Sequence, residues 1–86
     1  MTYTVNIKSE AYKDIERLRS RDAKRIDKIL LGLEDDPRPH GCKKLVGSTN
    51  QWRIRIGNYR VLYAITESIK SVEVFRVLHR KDAYRR

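Results

Sequence analysis

The chain has 86 residues, enough for a single domain over residues 1–86 with one small hydrophobic core. Its single cysteine, Cys42, excludes an internal disulfide and a multi-cysteine zinc site, and the longest apolar run, Val61–Ile65, is too short to cross a bilayer, so we expect a cytoplasmic protein with no membrane partner. The net charge is +9, and the whole excess falls in residues 37–86, where twelve basic residues stand against three acidic ones; this asymmetry is typical of a polyanion binder, and also of a protein with an acidic protein partner.

The first half of the chain predicts a strand followed by two helices. Residues 2–7 alternate between apolar and polar side chains, which is the period of a β-strand. Ser9 can cap the first helix, and a second helix is predicted from about Ser20 until prolines 37 and 39 exclude its continuation. Both helices carry an apolar stripe at helical spacing, which predicts a helical hairpin packed on a core. The stripes are Ala11, Ile15 and Leu18, then Ala23, Ile26, Ile29, Leu30 and Leu33.

The second half of the chain predicts three consecutive strands. From Gln51 the period changes to two, and Gly57-Asn58 is the signal of a two-residue hairpin turn. Residues 59–66 are apolar on both faces, which indicates a central strand, and residues 71–78 follow a polar loop. The element order predicts an α+β fold in which an N-terminal strand and a two-helix hairpin pack on a small antiparallel β-sheet.

The predicted turn fixes the register of the two strands that it joins. Arg55 lies opposite Arg60 and Arg53 opposite Leu62, so the three arginines project from the same face of the sheet. Like charges placed directly opposite each other destabilise a strand pair, and an anion bound between them relieves the repulsion. The alternative is that Arg53 and Arg55 form the solvated face of a strand.

The position of His79 depends on the length of the next loop. With a loop of four residues, Arg60 faces Val77 and His79 emerges beside Arg60, whereas a loop of three or five residues reverses this. Arg80 and Tyr84 follow at the exit of the strand.

These side chains together suit the cleavage of RNA without a metal or another cofactor. One arginine can bind two phosphate oxygens at once, and several arginines can stabilise the added charge of a pentacovalent transition state. The 2′-OH of RNA supplies the nucleophile. His79 is of the residue type that transfers protons near neutral pH, and Tyr84 can stack on a base or orient the hydroxyl. The structural alternatives are a surface or capping role for His79 and packing of the C-terminus for Tyr84. Lys43 and Lys44 can contact the RNA backbone.

Two separated segments resemble the signature motifs of the RelE/ParE superfamily of toxins. Residues 44–47 (KLVG) with residues 52–63 (WRIRIGNYRVLY) are similar to its central signature, and residues 77–85 (VLHRKDAYR) are similar to its C-terminal motif. The resemblance implies the toxin of a type II toxin-antitoxin system, held inactive by a cognate antitoxin protein. In RelE-like members it implies a metal-independent endoribonuclease, an mRNA interferase, which cuts mRNA in the A site of the small ribosomal subunit by 2′-OH attack and so inhibits translation.

The resemblance also implies roles for four residues. Arg60 corresponds to the arginine that stabilises the transition state, and Arg80 to the arginine at the scissile phosphate and leaving group. Tyr84 corresponds to the tyrosine near the 2′-OH or stacked on the base. His79 stands where some members carry a histidine credited with proton transfer.

Two arginines depart from the family pattern. Arg53 and Arg55 stand where well-studied RelE-like enzymes have lysines, and arginine is a very poor base. Three consequences stay open: His79 takes the proton, solvent suffices beside an electrostatic site, or activity is lower. Two other functions also stay open, namely a ParE-like inhibitor of DNA gyrase on the same fold and a non-catalytic module that binds RNA or protein.

Overall fold

The computed structural model describes residues 2–83 and confirms the predicted α+β class. Its described strands are β1 (Thr4–Ile7), β2 (Lys43–Lys44), β3 (Gln51–Ile56), β4 (Tyr59–Thr66) and β5 (Ser71–His79). Its helices are α1 (Ser9–Glu16), α2 (Ser20–Gly32) and α3 (Arg80–Ala83), with one 3₁₀ turn at Glu67–Ile69. Within residues 2–83 no helix has both the length and the apolar character of a membrane span.

The strands of the described region form one sheet in the order β1-β5-β4-β3-β2. The predicted central strand, β4, is indeed central. The pairs β5–β4, β4–β3 and β3–β2 are antiparallel, as expected, whereas β1 pairs parallel with β5. This parallel pairing is possible because α1 and α2 intervene between the two strands and supply the long connection that it requires.

The helical hairpin packs on one face of the sheet, and the core lies between the two layers. Ile26 of α2 and Leu33, the residue directly after this helix, are fully buried, as are Val61 and Tyr63 of β4. The Tyr63 hydroxyl donates a hydrogen bond of 2.8 Å to the carbonyl of Pro37, which ties the loop after α2 to the central strand. The alternate residues of β3 and β4 therefore point to the other face, which we call the arginine face after Arg53, Arg55 and Arg60.

The predicted register of the β3–β4 hairpin is confirmed, but the predicted register of β4 with β5 is wrong beyond its first half. Thr66 pairs with Ser71, as a four-residue loop requires, yet Leu62 pairs with Arg76 and Tyr63 with Val74. Phe75 is therefore an extra residue in β5, a β-bulge that reverses the alternation after it. The bulge lets Val74 and Val77 both enter the core although they are three residues apart.

The carboxylate of Asp14 stabilises β5 just beyond the point where β1 ends. β1 pairs with β5 only as far as Val74, and the Val77 N–H then donates to Asp14 Oδ2 at 2.9 Å. Arg76 donates to the same carboxylate through Nε at 2.8 Å and Nη2 at 3.1 Å. Burial alone would raise the pKa of Asp14, but the hydrogen bonds from Arg76 and Val77 outweigh it and lower the pKa below its ordinary value.

Some boundaries differ from the predictions. Ser9 is the first residue of α1 and its side chain makes no capping hydrogen bond, so the predicted cap is wrong. The two-residue strand β2 and the short helix α3 were not predicted, because a segment of two to four residues shows no measurable periodicity.

Candidate active site

The β3–β4 turn and the start of α3 enclose a recess on the arginine face. The recess has a volume of about 190 Å³ and is lined by Arg55, Gly57, Asn58, Tyr59, Arg60 and Arg80. Arg55 and Arg60 are directly opposite each other across the hairpin, as predicted, so their Cβ atoms lie about 5 Å apart. Three arginines from three elements thus converge on one cavity, an arrangement suited to a phosphate group.

Two local features fix the geometry of this recess. Gly57 adopts a left-handed backbone conformation with φ +59°, which the tight turn requires and which glycine adopts at little cost. The backbone N–H of Arg80 donates a hydrogen bond of 2.7 Å to the carbonyl of Asn58, so the first residue of α3 is tied to the same turn.

Arg25 of α2 is a fourth cation near the recess that the sequence analysis missed. A Cβ atom added to Gly57 would lie 3.1 Å from its Nη1 atom, so the guanidinium packs directly against the turn. Arg25 is exposed, and only the tertiary packing of α2 against the hairpin brings it there. No local sequence signal distinguishes it from the other basic residues of that helix.

A second, larger cavity continues the arginine face away from the turn. It has a volume of about 350 Å³ and is lined by Leu45, Gln51, Arg53, Arg60, Leu62, Phe75 and Leu78. Arg60 lines both cavities and therefore joins them. The bulged Phe75 and Leu62 add apolar surface beside the cations, which is a combination that accepts a base next to its phosphate.

The structure separates the two candidate lysines of β2. Lys43 pairs with Arg53, so it extends the row of cations on the arginine face. Lys44 pairs with Trp52 and has the parity of the opposite face. Of the two predicted RNA-binding lysines, only Lys43 is thus aligned with the arginines.

His79 is not brought to Arg60. Because of the bulge, Arg60 pairs with Leu78, and His79 pairs with Tyr59 on the helix side of the sheet. The imidazole packs edge-on against the Tyr59 ring with 5.4 Å between centroids, and its Nδ1 accepts the backbone N–H of Lys81 at 3.2 Å. The remaining candidate, Tyr84, lies outside the described residues.

A separate polar cluster braces the far end of the sheet. Glu67 accepts hydrogen bonds from the Tyr3 hydroxyl at 2.8 Å and from Lys70 at 3.3 Å, and its other oxygen forms an ion pair with Arg38 at 2.7 Å. The hydrogen bonds from Arg38 and Tyr3 lower the pKa of Glu67 to about 2. Within residues 2–83, no group of three or more His, Cys, Asp or Glu side chains could hold a metal ion.

Comparison with known proteins places the chain in a family. Residues 5–84 match the model of the family described as the ParE toxin of the type II toxin-antitoxin system parDE. The chain belongs to the RelE/ParE superfamily of type II toxins. Toxin RelG of Mycobacterium tuberculosis is 32% identical to this RelE-like toxin over 87 residues, which cover all of both chains.

Solved structures of RelE toxins and their antitoxin complexes have the same fold. A chain from the archaeal RelE-RelB complex of Pyrococcus horikoshii superposes with a TM-score of 0.84 and 28% identity, covering 93% of this chain and 97% of that one. A chain from the toxin-antitoxin complex RelBE2 of Mycobacterium tuberculosis gives a TM-score of 0.81 and 27% identity, covering 92% and 99%. These likenesses confirm a RelE-like type II toxin.

Proposed function

We propose that this RelE-like toxin is a ribosome-dependent endoribonuclease that cuts mRNA in the A site and so inhibits translation. The observation that carries the proposal is the convergence of Arg55, Arg60 and Arg80 on one recess. A directly opposed arginine pair weakens the sheet, so its benefit lies in binding an anion. A phosphodiester of RNA is an anion of the right size, charge and hydrogen-bonding capacity.

The proposed reaction is a transesterification within the RNA. The 2′-oxygen attacks the adjacent phosphorus, the bond from phosphorus to the 5′-oxygen breaks, and the products are a 2′,3′-cyclic phosphate and a 5′-hydroxyl. Arg60 and Arg80 stabilise the charge that develops on the phosphorane oxygens, and Arg80 also faces the departing oxygen.

Solvent is the proposed carrier of the two protons. Water accepts the proton of the 2′-OH, and water donates a proton to the 5′-oxygen. Two observations support this assignment over His79: the imidazole lies on the helix side of the sheet, and its Nδ1 already accepts a hydrogen bond. Arg53 and Arg55 cannot act as bases near neutral pH, because their guanidinium groups stay protonated. Tyr84 is proposed to lie near the 2′-OH or to stack on a base.

The larger cavity is the proposed path of the RNA strand. Lys43 and Arg53 continue the cations beyond Arg60 and suit the next phosphates, while Phe75 and Leu62 suit a base. None of these side chains is proposed to take the proton of the 2′-OH. We therefore propose that the substrate is mRNA held in order by the ribosomal A site. The site of action would then be the cytoplasm.

A cognate antitoxin is the other proposed partner. Two of the similar solved structures are toxin-antitoxin complexes. An acidic or amphipathic antitoxin segment suits a toxin with a net charge of +9, because it would cover the cationic surface that the RNA requires.

The test is to map new mRNA 5′ ends by primer extension after brief induction in a bacterial host. The wild type should produce ends within translated frames, and these ends should disappear when translation initiation is blocked. Arg60→Ala/Arg80→Ala should abolish them. The matched control, Arg19→Ala/Arg21→Ala, removes the same charge from exposed positions at the start of α2 and should cut normally.

Other outcomes would support the competing functions. Growth arrest with intact mRNA and inhibited DNA supercoiling by purified gyrase would favour a ParE-like toxin, which the matching family description makes the second candidate. Salt-sensitive RNA binding without any cleavage product would favour a non-catalytic binding module. Normal cutting by the Arg60→Ala/Arg80→Ala variant would refute the proposed site.

A further inference from the structure

We infer that His79 is a positioning residue, which holds Arg80 in the recess, and not a group that transfers protons. The inference deepens the proposed cleavage reaction and rests on it for its activity measurement. Its structural part, a hydrogen-bonding role for one imidazole nitrogen, can be measured without any reaction.

The imidazole of His79 caps the first turn of α3. His79 directly precedes this helix, and its Nδ1 accepts the N–H of Lys81 at 3.2 Å. The first N–H groups of a helix have no partner within it, and a side-chain acceptor on the preceding residue is the usual substitute. Nδ1 can accept only when the ring is neutral and carries its proton on Nε2, because a protonated imidazole is a donor at both nitrogens.

The ring is held in this orientation by Tyr59, which is itself hydrogen-bonded to α2. Tyr59, the cross-strand partner of His79, presents its ring edge-on with an interplanar angle of 87°. The Tyr59 hydroxyl in turn donates a long hydrogen bond of 3.5 Å to Asp22 on α2. A continuous series of contacts thus runs from α2 through Tyr59 and His79 to α3.

Arg80 is fixed between two backbone hydrogen bonds. Its own N–H donates to Asn58 in the β3–β4 turn at 2.7 Å, and the next N–H along the chain donates to His79. Its side chain lines the recess together with Arg55 and Arg60. Loss of the cap would remove the second of these hydrogen bonds. Arg80, which faces the scissile phosphate, would then be held less firmly in the recess.

Protonation would turn Nδ1 of His79 into a donor and would therefore remove the cap. The charged and titratable groups around the ring come from every element packed against it. They are Asp14, Arg17, Asp22, Tyr59, Arg76 and Asp82.

Substitution by asparagine separates positioning from proton transfer. Oδ1 of Asn is attached to Cγ as Nδ1 of His is, and Asn is a preferred capping residue, but it cannot exchange protons near neutral pH. On programmed ribosomes, His79→Asn should cut mRNA within about threefold of the wild-type rate, whereas His79→Ala should be slower by about 10- to 100-fold because Arg80 is misplaced.

Equal losses in His79→Asn and His79→Ala, with the recess intact, would overturn the inference and restore a proton-transfer role. The second measurement is NMR of the full-length ¹⁵N-labelled protein. The wild type should carry its imidazole proton on Nε2, and the Lys81 amide should exchange about two- to tenfold more slowly than in His79→Ala, with His79→Asn resembling the wild type. A proton on Nδ1, or a Lys81 amide equally fast in all three proteins, would also overturn it. If the wild type cuts no RNA at all, the proposed function fails, and the NMR result still decides the capping role.

Discussion

Replacement of Asp14 by alanine should destabilise the protein far more than replacement of an exposed carboxylate. Asp14 is 8% exposed, and its carboxylate accepts three hydrogen bonds, two from Arg76 and one from the Val77 N–H. Without it, the buried Val77 N–H is left unsatisfied, which costs about 1–3 kcal/mol. Arg76 is one-third exposed and can be rehydrated, so the lost ion pair adds only about 1 kcal/mol.

The expected loss for Asp14→Ala is therefore about 2–4 kcal/mol, or about 10–25 °C in Tm for a domain of this size. Asp14→Asn keeps an acceptor for Val77 and should lose only about 1–2 kcal/mol. Because the folded pKa of Asp14 is lowered, its charge stabilises the fold above the ordinary Asp pKa of about 3.9, and this contribution is lost as the pH falls through the folded value. The difference between wild type and Asp14→Asn should shrink accordingly in acid.

Urea denaturation followed by circular dichroism at pH 7 measures these losses. The matched control is Asp27→Ala, which removes an exposed carboxylate from α2 and should stay within about 0.5 kcal/mol of the wild type. An Asp14→Ala variant within that same margin would refute the reasoning, since it would mean that water or a shifted β5 satisfies Val77 at no cost.

Three further predictions concern the hairpin and the polar cluster. Arg55→Thr removes the charge opposite Arg60, so it should leave the free energy of unfolding unchanged or raise it by up to about 0.5 kcal/mol. The rate of RNA cleavage should fall about tenfold, and a loss of stability in urea would contradict the prediction. Gly57→Ala should cost about 1–2 kcal/mol because its φ is +59° and its Cβ would press on Arg25, whereas Gly57→Asn should cost less because asparagine tolerates this conformation; thermal melts of both variants decide. An NMR titration should give the Glu67 carboxyl a pKa of about 2, and Arg38→Gln should raise it towards the ordinary range; an unshifted wild-type value would exclude the Arg38 and Tyr3 contacts.

The parts of the fold that follow from local signals could be predicted. Gly57-Asn58 allows a single compact turn geometry, so the opposition of Arg55 and Arg60 followed from it directly. The pattern of apolar residues likewise located both long helices and the central strand.

The position of His79 could not be derived in the same way. Strict alternation continued past Val74 places His79 beside Arg60, but β5 contains a bulge at Phe75. The sequence holds a weak sign of it, since Val74 and Val77 cannot both face the same side of a regular strand, yet both are in the core. Asp14, which accepts the Val77 N–H two residues beyond the bulge, is distant in the chain and is brought to the strand by the packing of α1.

The edge strand β2 also affects the tendency of the protein to aggregate at high concentration. A sheet that ends in a long, flat, apolar strand offers unpaired backbone groups to another sheet, and chains then add edge to edge into aggregates. Here that edge is two residues long and consists of Lys43 and Lys44, so it offers little backbone and repels an identical edge. Lys43, which extends the arginine face, therefore also opposes the addition of another sheet at this edge.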